Sequence, residues 1–429
     1  MEVKSIQFTS ESARLLDNSD PLKHFRDQYY IPKGSNGYKI YLCGNSLGLQ
    51  PRATAQYLEE ELELWQKMAV DGHFHGERPW FHYHKFFNEP ASRIVGAQPD
   101  EVVVMNSLTV NLHLMMVSFY RPDKKRYKIM MEAGAFPSDQ YAMESQVKFH
   151  GYNPEEAIIE LKPREGEHTL RTEDILEAID DNANELALIM FGGVNYYTGQ
   201  FFNLEAITQK GHEHDITVGF DLAHTAGNIP LKLHDWGVDF AVWCSYKYLN
   251  SGPGGPSGVF VHENHGKSPQ LPRFAGWWGH DESERFKMQK GFKPMYGAAG
   301  WQLSNAQVFS MAPHLAALKL FDEAGMDNLI EKSGKLTAFM EHGINELNKK
   351  FDNYYTILTP EDIQQRGAQL SIVVKENGRE LFERIIANDV VADWREPDVI
   401  RVAPVPMYHS FEDVYAFVEL LGKHAERDL

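Results

Sequence analysis

The sequence is poor in cysteine, in basic side chains and in long apolar runs, and each shortage excludes a class of protein. Only Cys43 and Cys244 occur in 429 residues, without a C-x-x-C, so neither a disulfide framework nor a thiolate metal site is expected. The 42 basic and 60 acidic side chains give a net charge of −18, which disfavours nucleic acid and membrane partners. No run approaches the ~20 apolar residues of a membrane span, and the first residues lack an apolar signal region. We therefore expect a cytoplasmic protein with a small-molecule substrate.

Short apolar runs alternate regularly with segments of helical periodicity from Glu101 onward. The runs EVVVM, YKIMME, AIIEL and LALIMF have the pattern of strands, and the stretches between them have that of helices. This alternation indicates crossover connections, so we predict an α/β fold with a mostly parallel sheet and helices on both faces. Helices from about Phe309 to Lys350 mark a change of domain. The predicted domains are an N-terminal arm with a turn-rich segment (1–50), a large domain (51–308) and a smaller α+β domain (309–429).

Two apolar runs within 217–258 end near an acid and an amine. The run TVGFD ends at Asp221, and AVWC is followed by SYK, which ends at Lys247. Side chains at the carboxyl ends of neighbouring parallel strands lie where open α/β sheets bind ligands. Pyridoxal phosphate needs an amine that condenses with its aldehyde and an acid that keeps its pyridine nitrogen protonated. Lys247 is the candidate anchor and Asp221 the candidate pyridinium partner; a solvated lysine and a helix-capping acid are the alternatives.

Two predicted helices begin directly after strands and add groups suited to this cofactor. Free N–H groups and a hydroxyl at the first helix start form an anion site for a phosphate. The second helix start offers an aromatic side chain to cover a pyridine ring, and an acid near the polar edge of that ring. Taken singly, each of these residues is also an ordinary cap or core residue. The residues are Ser107, Leu108 and Thr109 at the first start, and Phe136, Pro137, Ser138 and Asp139 at the second.

Histidines and one arginine supply further candidates. The stretch VDGHFHGERPWFHYH contains two H-x-H pairs, but no acidic cluster accompanies them at the spacing of known sites, so we expect no metal. His73 is interpreted instead as a hydrogen-bonding group on the substrate side. His224 is placed to reach a ring or a substrate carboxyl, with a capping histidine as the alternative. Arg401, on the last predicted strand, is a candidate clamp for a substrate carboxylate, with a surface ion pair as the alternative.

Over almost its whole length the chain resembles kynureninase, a family of pyridoxal-phosphate hydrolases of tryptophan breakdown. The motifs that carry the resemblance are GNSLGL, VDGH with ERPW, NSLTVNLH, FPSD, VNYYTGQ, GFDLAH, LHDWGVDFAVWCSYKYLN, RFKM and IRVAPVPMYHSFEDVY. The block from Gly219 to Asn250 is the most specific, whereas FDLAH alone is typical of the larger aminotransferase-like group. The resemblance implies fold type I, pyridoxal 5'-phosphate as cofactor, and a homodimer with the active site at the subunit interface.

The resemblance also implies roles for individual residues. Lys247 resembles the Schiff-base lysine and Asp221 the pyridinium partner, while Tyr246 resembles a residue that donates a proton or contacts the phosphate. The implied cofactor contacts are Leu108, Thr109, Phe136, Pro137, Ser138, Asp139, His224, Tyr246, Trp277 and Asn305. The implied substrate contacts are Ser46, His73, Asn305 and Arg401. Gly192 stands where some relatives carry a serine that contacts the cofactor, so the resemblance implies one hydroxyl donor fewer here.

The implied reaction is hydrolysis of the Cβ–Cγ bond of L-kynurenine or 3-hydroxy-L-kynurenine, in tryptophan catabolism and de novo NAD synthesis. The products are L-alanine and anthranilate or 3-hydroxyanthranilate. His73, Ser304 and Asn305 resemble the branch that prefers the hydroxylated substrate. Two alternatives stay open. A cysteine desulfurase needs a nucleophilic cysteine beyond the lysine, and none follows Cys244; a non-catalytic relative is expected to lose the lysine or the acid, and both are present.

Overall fold

The computed structural model describes residues 6–35, 37–268 and 270–428, and a large sheet forms the centre of this part of the chain. Its strands are β1 (Val102–Met105), β2 (Lys128–Glu132), β3 (Ile158–Leu161), β4 (Leu186–Gly192), β5 (Thr217–Asp221), β6 (Phe240–Cys244) and β7 (Ser257–Val261). Their spatial order is β1-β7-β6-β5-β4-β2-β3. Neighbouring strands are parallel except where β7 pairs with β6 and β1. The prediction of an α/β fold with a mostly parallel sheet is confirmed.

Helices cover both faces of this sheet, because successive side chains along a strand point to opposite faces. The longer helices are α1 (Ser10–Ser19), α2 (Thr54–Met68), α3 (Asn88–Val95), α4 (Leu108–Phe119), α5 (Pro137–Phe149), α6 (Thr172–Asn182), α7 (Leu204–Glu213), α8 (Val308–Ala324), α9 (Met326–Lys350), α10 (Gly378–Ala387) and α11 (Phe411–Asp428). Val103 and Met105 share a core with α4 and α5, whereas Val102 and Val104 share another with α3, α6, α7 and α8. Strands buried on both faces are apolar throughout, which explains the continuous runs in the sequence.

A second, antiparallel sheet forms the centre of the C-terminal part. Its strands are β8 (Tyr355–Ile357), β9 (Leu370–Val374), β10 (Asp393–Arg395) and β11 (Val399–Val402), in the spatial order β8-β9-β11-β10. One face packs on α9, α10 and α11, and Ala13 of α1 joins the same core. Helix α8 instead buries Met311, Leu318 and Phe321 in the core of the large sheet. The domain boundaries at 50 and 308 stay a prediction.

Short elements complete the described chain. Single helical turns lie at Pro154–Ala157 and Glu263–Gly266, and two-residue strands at Tyr29–Tyr30, Lys33–Gly34, Gly37–Tyr38, Ile40–Tyr41, Gln50–Pro51 and Val390–Val391. Within the residues that the structure covers, no helix is both long enough and apolar enough to cross a bilayer.

The carboxyl ends of the parallel strands meet at one edge of the large sheet. Asp221, the last residue of β5, is paired in register with Gly192 of β4 on one side and with Val242 of β6 on the other. Lys247 follows β6 by three residues. The register therefore brings the predicted acid and the predicted amine to the same edge, where such sheets bind ligands.

Candidate active site

A cavity of about 560 Å³, including space open to solvent, lies at this edge, beyond the carboxyl ends of β2, β4, β5 and β6. Its walls are formed by Leu108, Thr109, Glu132, Phe136, Ser138, Asp139, Gly192, Val194, Tyr196, Asp221, Ala223, His224, Tyr246 and Lys247. Most of the predicted cofactor residues thus surround one space. We call this space the lysine cavity.

Asp221 and Lys247 differ in how firmly they are held. Asp221 is buried, and its Oδ1 accepts a 2.7 Å hydrogen bond from the Ala223 N–H. Lys247 is only half buried, and its Nζ lies 5.6 Å from the centre of the Phe136 ring. Within the described chain this amine has no hydrogen-bond or ion-pair partner. An unpaired amine beside an aromatic ring is available for covalent chemistry, whereas the fixed carboxylate is suited to orienting a bound group.

Three carboxyl groups line the cavity. Burial raises the pKa of Glu132 to about 7, and this carboxyl accepts a 3.2 Å hydrogen bond from the Gly192 N–H. Burial also raises the pKa of Asp139 and that of Asp221, and the charge of Asp221 raises the pKa of Asp139 further. The Ala223 N–H and the charge of Lys247 favour the charged form of Asp221, so Asp139 is the one of the two aspartates whose pKa is raised more. Among the residues that the structure describes, the lining contains three carboxyl groups but one lysine, Lys247, and no arginine, so the cavity has little positive charge to balance them.

Two helices begin at the cavity, as the sequence predicts. Helix α4 starts at Leu108, and no described side chain caps it, so the N–H groups of its first turn are available. Helix α5 starts at Pro137. The Thr109 and Ser138 hydroxyls, one from each helix, lie 2.8 Å apart. Hydroxyls and free N–H groups at a helix start form an anion site, which fits a phosphate.

His224 and Tyr246 are neutral polar groups in the lining. Burial, followed by the nearby charges of Lys247 and Arg401, lowers the pKa of His224 well below its usual value, so the imidazole is neutral. Its Nδ1 is buried without a hydrogen-bond partner within the described residues. Burial raises the pKa of Tyr246, whose hydroxyl contacts the Cys244 thiol and keeps its proton at neutral pH. One neutral ring with an unused nitrogen and one protonated phenol therefore face the cavity.

The GNSLGL turn that carries Ser46 packs against the lysine loop. The Gly48 N–H donates to the Tyr246 carbonyl at 2.8 Å. A Cβ at Gly48 would lie 2.4 Å from the Lys247 carbonyl, so only glycine allows this approach. Ser46 lies two residues before this contact, and its role on the substrate side stays a prediction.

Arg401 lies behind the wall of the cavity. It is buried, and its guanidinium donates to the Tyr196 carbonyl at 2.6 Å and to the Asp393 carboxylate. Tyr196 lines the cavity and packs edge-to-face on Phe136 with ring centres 5.3 Å apart. The predicted carboxylate clamp is therefore adjacent to the lysine cavity and is not a surface ion pair.

Six of the predicted cofactor and substrate contacts are not in the lining of the lysine cavity: Ser46, His73, Pro137, Trp277, Asn305 and Arg401. Three of them line other cavities of the single chain. His73 and Asn305 line another cavity together with Trp65 and Trp80. Trp277, which is 47% exposed, lines a third cavity and donates from Nε1 to the Arg285 carbonyl at 3.2 Å. Their roles at the cofactor and at the substrate stay predictions.

Sequence reasoning overlooks four lining residues, Glu132, Val194, Tyr196 and Ala223. Glu132 ends strand β2 as Asp221 ends β5, so the same signal, an acid directly after a buried strand, predicts it. Tyr196 lies in the motif VNYYTGQ, but the sequence does not reveal which of its two tyrosines faces the cavity.

The expectation of no bound metal stays a prediction. In the described chain, Glu101, His234 and His262 are close enough to share an ion, and none of the histidines of the H-x-H pairs belongs to such a group. The Glu101 carboxylate already accepts from the Gln98 and Glu263 N–H groups at 2.8 Å each, so this cluster is satisfied without an ion.

The fold of this chain is fold type I, the fold of a solved protein that carries pyridoxal phosphate, and Asp221 and Lys247 lie at the carboxyl edge of its sheet. A solved structure of a C-DES mutant with glycine covalently linked to its PLP cofactor has the same fold, with a TM-score of 0.75 at 16% identity over 92% of this chain and 98% of that one.

The chain belongs to the kynureninase family. It is 54% identical to the kynureninase of Flavobacterium johnsoniae, over 98% of this chain and 99% of that protein. It is 57% identical to the kynureninase of Myxococcus xanthus, over 97% of each. The family model described as the kynureninase C-terminal domain matches residues 329–421. The resemblance found in the motifs is confirmed.

Proposed function

We propose that this chain hydrolyses the Cβ–Cγ bond of L-kynurenine or its 3-hydroxy form, releasing L-alanine and an anthranilate. The observation that carries the proposal is the shared cavity of Lys247 and Asp221, in a chain 54% identical to a kynureninase over nearly its full length. This activity supports tryptophan catabolism and the supply of pyridine nucleotides.

The buried polar groups of the lysine cavity are suited to pyridoxal phosphate. Asp221 and Asp139 have raised pKa values because they are buried without enough positive charge, and a pyridinium supplies that charge. Within the described residues His224 Nδ1 has no hydrogen-bond partner, and neither has the Lys247 amine. When bound, the cofactor supplies an aldehyde that condenses with amines and a protonated ring that accepts electrons.

Different residues around the cavity would bind different parts of this cofactor. Lys247 would attach it, Asp221 with Asp139 would hold the proton of its ring nitrogen, and Phe136 would contact its ring. The start of α4, where N–H groups and two hydroxyls converge, would hold the phosphate. The remaining contacts in the proposal are Leu108, Thr109, Pro137, Ser138, His224 and Tyr246 from this chain, and Trp277 and Asn305 from a second chain.

Proton transfers at the substrate fall to Lys247 and Tyr246. Lys247 would remove the proton from Cα. Water would add to the γ-carbonyl and supply the oxygen of the new carboxyl group, and the Tyr246 hydroxyl, which burial keeps protonated, would donate to Cβ when the Cβ–Cγ bond breaks. Arg401 binds the α-carboxylate and thereby orients Cα toward the lysine.

We infer a preference for 3-hydroxykynurenine and a homodimeric enzyme of the cytoplasm. His73, Ser304 and Asn305 offer hydrogen-bonding groups to an aromatic hydroxyl, and a site built for a hydroxyl discriminates well against its absence. The separation of His73 and Asn305 from the lysine cavity supports a site completed by a partner chain. Specificity constants for both substrates test the preference, and a clear advantage of kynurenine contradicts it.

The central experiment combines absorbance with turnover. Purified protein with added pyridoxal phosphate should absorb visible light and release L-alanine and the fluorescent anthranilate from kynurenine. Lys247→Ala should lose both the visible band of the lysine-bound cofactor and the activity. An unchanged spectrum removes Lys247 from its role, and a protein that takes up no cofactor contradicts the proposed function. L-cysteine serves as a control substrate, from which no sulfide is expected.

A further inference from the structure

The small-domain sheet presents a polar face that carries more than Arg401. Asp393 of β10 is directly opposite Arg401 of β11, so both side chains lie on the same face. Arg395 lies two residues beyond Asp393 on the same strand and therefore shares this face. Trp394, between them, lies on the other face, where it packs against Phe382 at 5.8 Å. One face of β10 and β11 thus carries two arginines and one carboxylate.

This polar face packs against the wall of the lysine cavity. Arg401 donates to the Tyr196 carbonyl at 2.6 Å, and Gln369 donates to the same oxygen at 3.0 Å. On β9, Ser371 pairs in register with Arg401 and donates to the Tyr197 carbonyl. Because Tyr196 lines the lysine cavity, Arg401 lies one residue behind the wall of that cavity, and Arg395 lies beside Arg401 across Asp393.

The two guanidinium groups share a single negative charge. Asp393 Oδ2 accepts from Arg401 and, at 3.0 Å, from Arg395. Among the described residues, no other carboxylate pairs with either guanidinium. The Nε atoms of both arginines are buried without a hydrogen-bond partner in this part of the chain. A buried N–H donor without an acceptor is unfavourable, so this arrangement is short of one anion.

The neighbouring titratable groups do not supply that anion. Burial raises the pKa of the Cys43 thiol to about 11, with Asp393, Arg401 and Arg395 as its charged neighbours, so the thiol is neutral. His224, which lines the lysine cavity, has a lowered pKa because of burial and then because of Lys247, Arg401 and Arg395. Both arginines are therefore close enough to influence a residue of the cavity.

We propose that Arg395 is a second guanidinium of the substrate-carboxylate site and that Asp393 is the positioning residue that holds it beside Arg401. The inference deepens the proposed function and rests on it, since it concerns the α-carboxylate of the same amino acid substrate. Arg401 is almost fully buried and fixed, whereas the side chain of Arg395 is 36% exposed. Arg395 is thus the guanidinium group that an incoming carboxylate contacts first. The carboxylate then supplies the acceptor that both Nε groups lack.

Arg395→Gln tests the proposal, with Arg379→Gln as the matched control. Arg379 stacks on Trp394 at 5.3 Å, on the opposite face of the sheet. We expect Arg395→Gln to raise KM for 3-hydroxykynurenine about tenfold or more, since a bond to a charged group is lost, with kcat changed less than about twofold. Arg379→Gln should change neither constant. Arg395→Lys keeps the positive charge but lacks the paired N–H donors of a guanidinium, so it should raise KM by an intermediate amount.

A pair of small ligands separates a binding role from a structural one. The Kd of L-alanine and that of L-alaninamide, which lacks the carboxylate, are measured from the absorbance of the bound cofactor. Arg395→Gln should weaken L-alanine about tenfold and leave L-alaninamide unchanged. Equal weakening of both ligands, or an unchanged Kd for L-alanine, overturns the proposal. This titration needs no turnover, so it decides the role of Arg395 even if the wild type fails to cleave kynurenine, which contradicts the proposed function alone.

Asp393 variants test the positioning role. Asp393→Asn keeps one acceptor oxygen, whereas Asp393→Ala keeps none, so the alanine variant should weaken L-alanine several-fold more than the asparagine variant does. The spectrum of the bound cofactor should stay the same in both. Equal affinities for L-alanine in wild type and both variants exclude Asp393 from the site.

Discussion

The lysine cavity and the aromatic segment from Trp277 to Asn305 are built in different ways. The lysine cavity is assembled by strand ends, and sheet register alone brings Gly192 and Asp221 together. The aromatic segment leaves Trp277 47% and Phe286 55% exposed, and its residues line separate cavities. Exposed apolar side chains in a cluster indicate a contact surface. The cofactor cavity is thus assembled largely by strand ends of one chain, whereas the exposed aromatic segment has the character of a contact surface.

The largest effect is expected at the lysine cavity. Asp221→Asn should lower kcat/KM for 3-hydroxykynurenine about 10³-fold, because an amide does not hold the ring nitrogen protonated. Steady-state kinetics with saturating pyridoxal phosphate measures this loss. The exposed Asp215 serves as the control, and Asp215→Asn should have no effect. A loss below tenfold for Asp221→Asn means that this acid is not essential to the cavity.

The second prediction concerns the pH dependence that the burial of Glu132 creates. The pKa of Glu132 is raised from 4.5 to about 7 in the folded chain, so between these values the folded state holds a proton that the unfolded state has lost. The free energy of unfolding therefore falls as pH rises from about 4.5 to about 7, by on the order of 3 kcal/mol from this group. Glu132→Gln should remove this contribution. Denaturant unfolding of cofactor-free protein at both pH values measures it, and identical pH slopes in variant and wild type contradict the assignment.

The third prediction asks whether the aromatic segment completes a site in another chain. Lys247→Ala and Asn305→Ala are each expected to be nearly inactive. In mixed dimers one of the two sites keeps both residues, so a mixture refolded together should recover about a quarter of wild-type activity. Each variant refolded alone provides the baseline. If the mixture stays at that baseline, Asn305 acts within its own chain, and the contrast between the two regions disappears.

The smallest effect is expected at Gly192. A Cβ at this position lies 2.8 Å from Glu132 Oε1, closer than real Cβ contacts, so Gly192→Ser must displace that carboxyl while it adds a hydroxyl donor. One added hydrogen bond is worth about 1 kcal/mol, so pyridoxal phosphate should bind about fivefold more tightly. Equilibrium titration of the cofactor measures the change. Weaker binding shows instead that the Glu132 carboxyl has no room to move.

Much of the cofactor cavity is predictable because its chemistry follows local rules. An acid or an amine directly after a buried run identifies Asp221 and Lys247, and helix starts identify Thr109 and Ser138. The same rule also identifies Glu132, which we did not predict. Tyr196 is different, because its place in the wall depends on contacts with Gln369 and Arg401 from the distant small domain.

Buried strands, helix starts and family motifs are local patterns, so the amino-acid sequence was enough to predict the α/β order of the elements, the class of cofactor and the family. The three-dimensional fold was needed to show which residues share a space. It placed Arg401 behind Tyr196 with Arg395 and Asp393 beside it, and it separated His73 and Asn305 from Lys247. Strand pairing and the docking of the two sheets join residues hundreds of positions apart, and no local pattern encodes those distances.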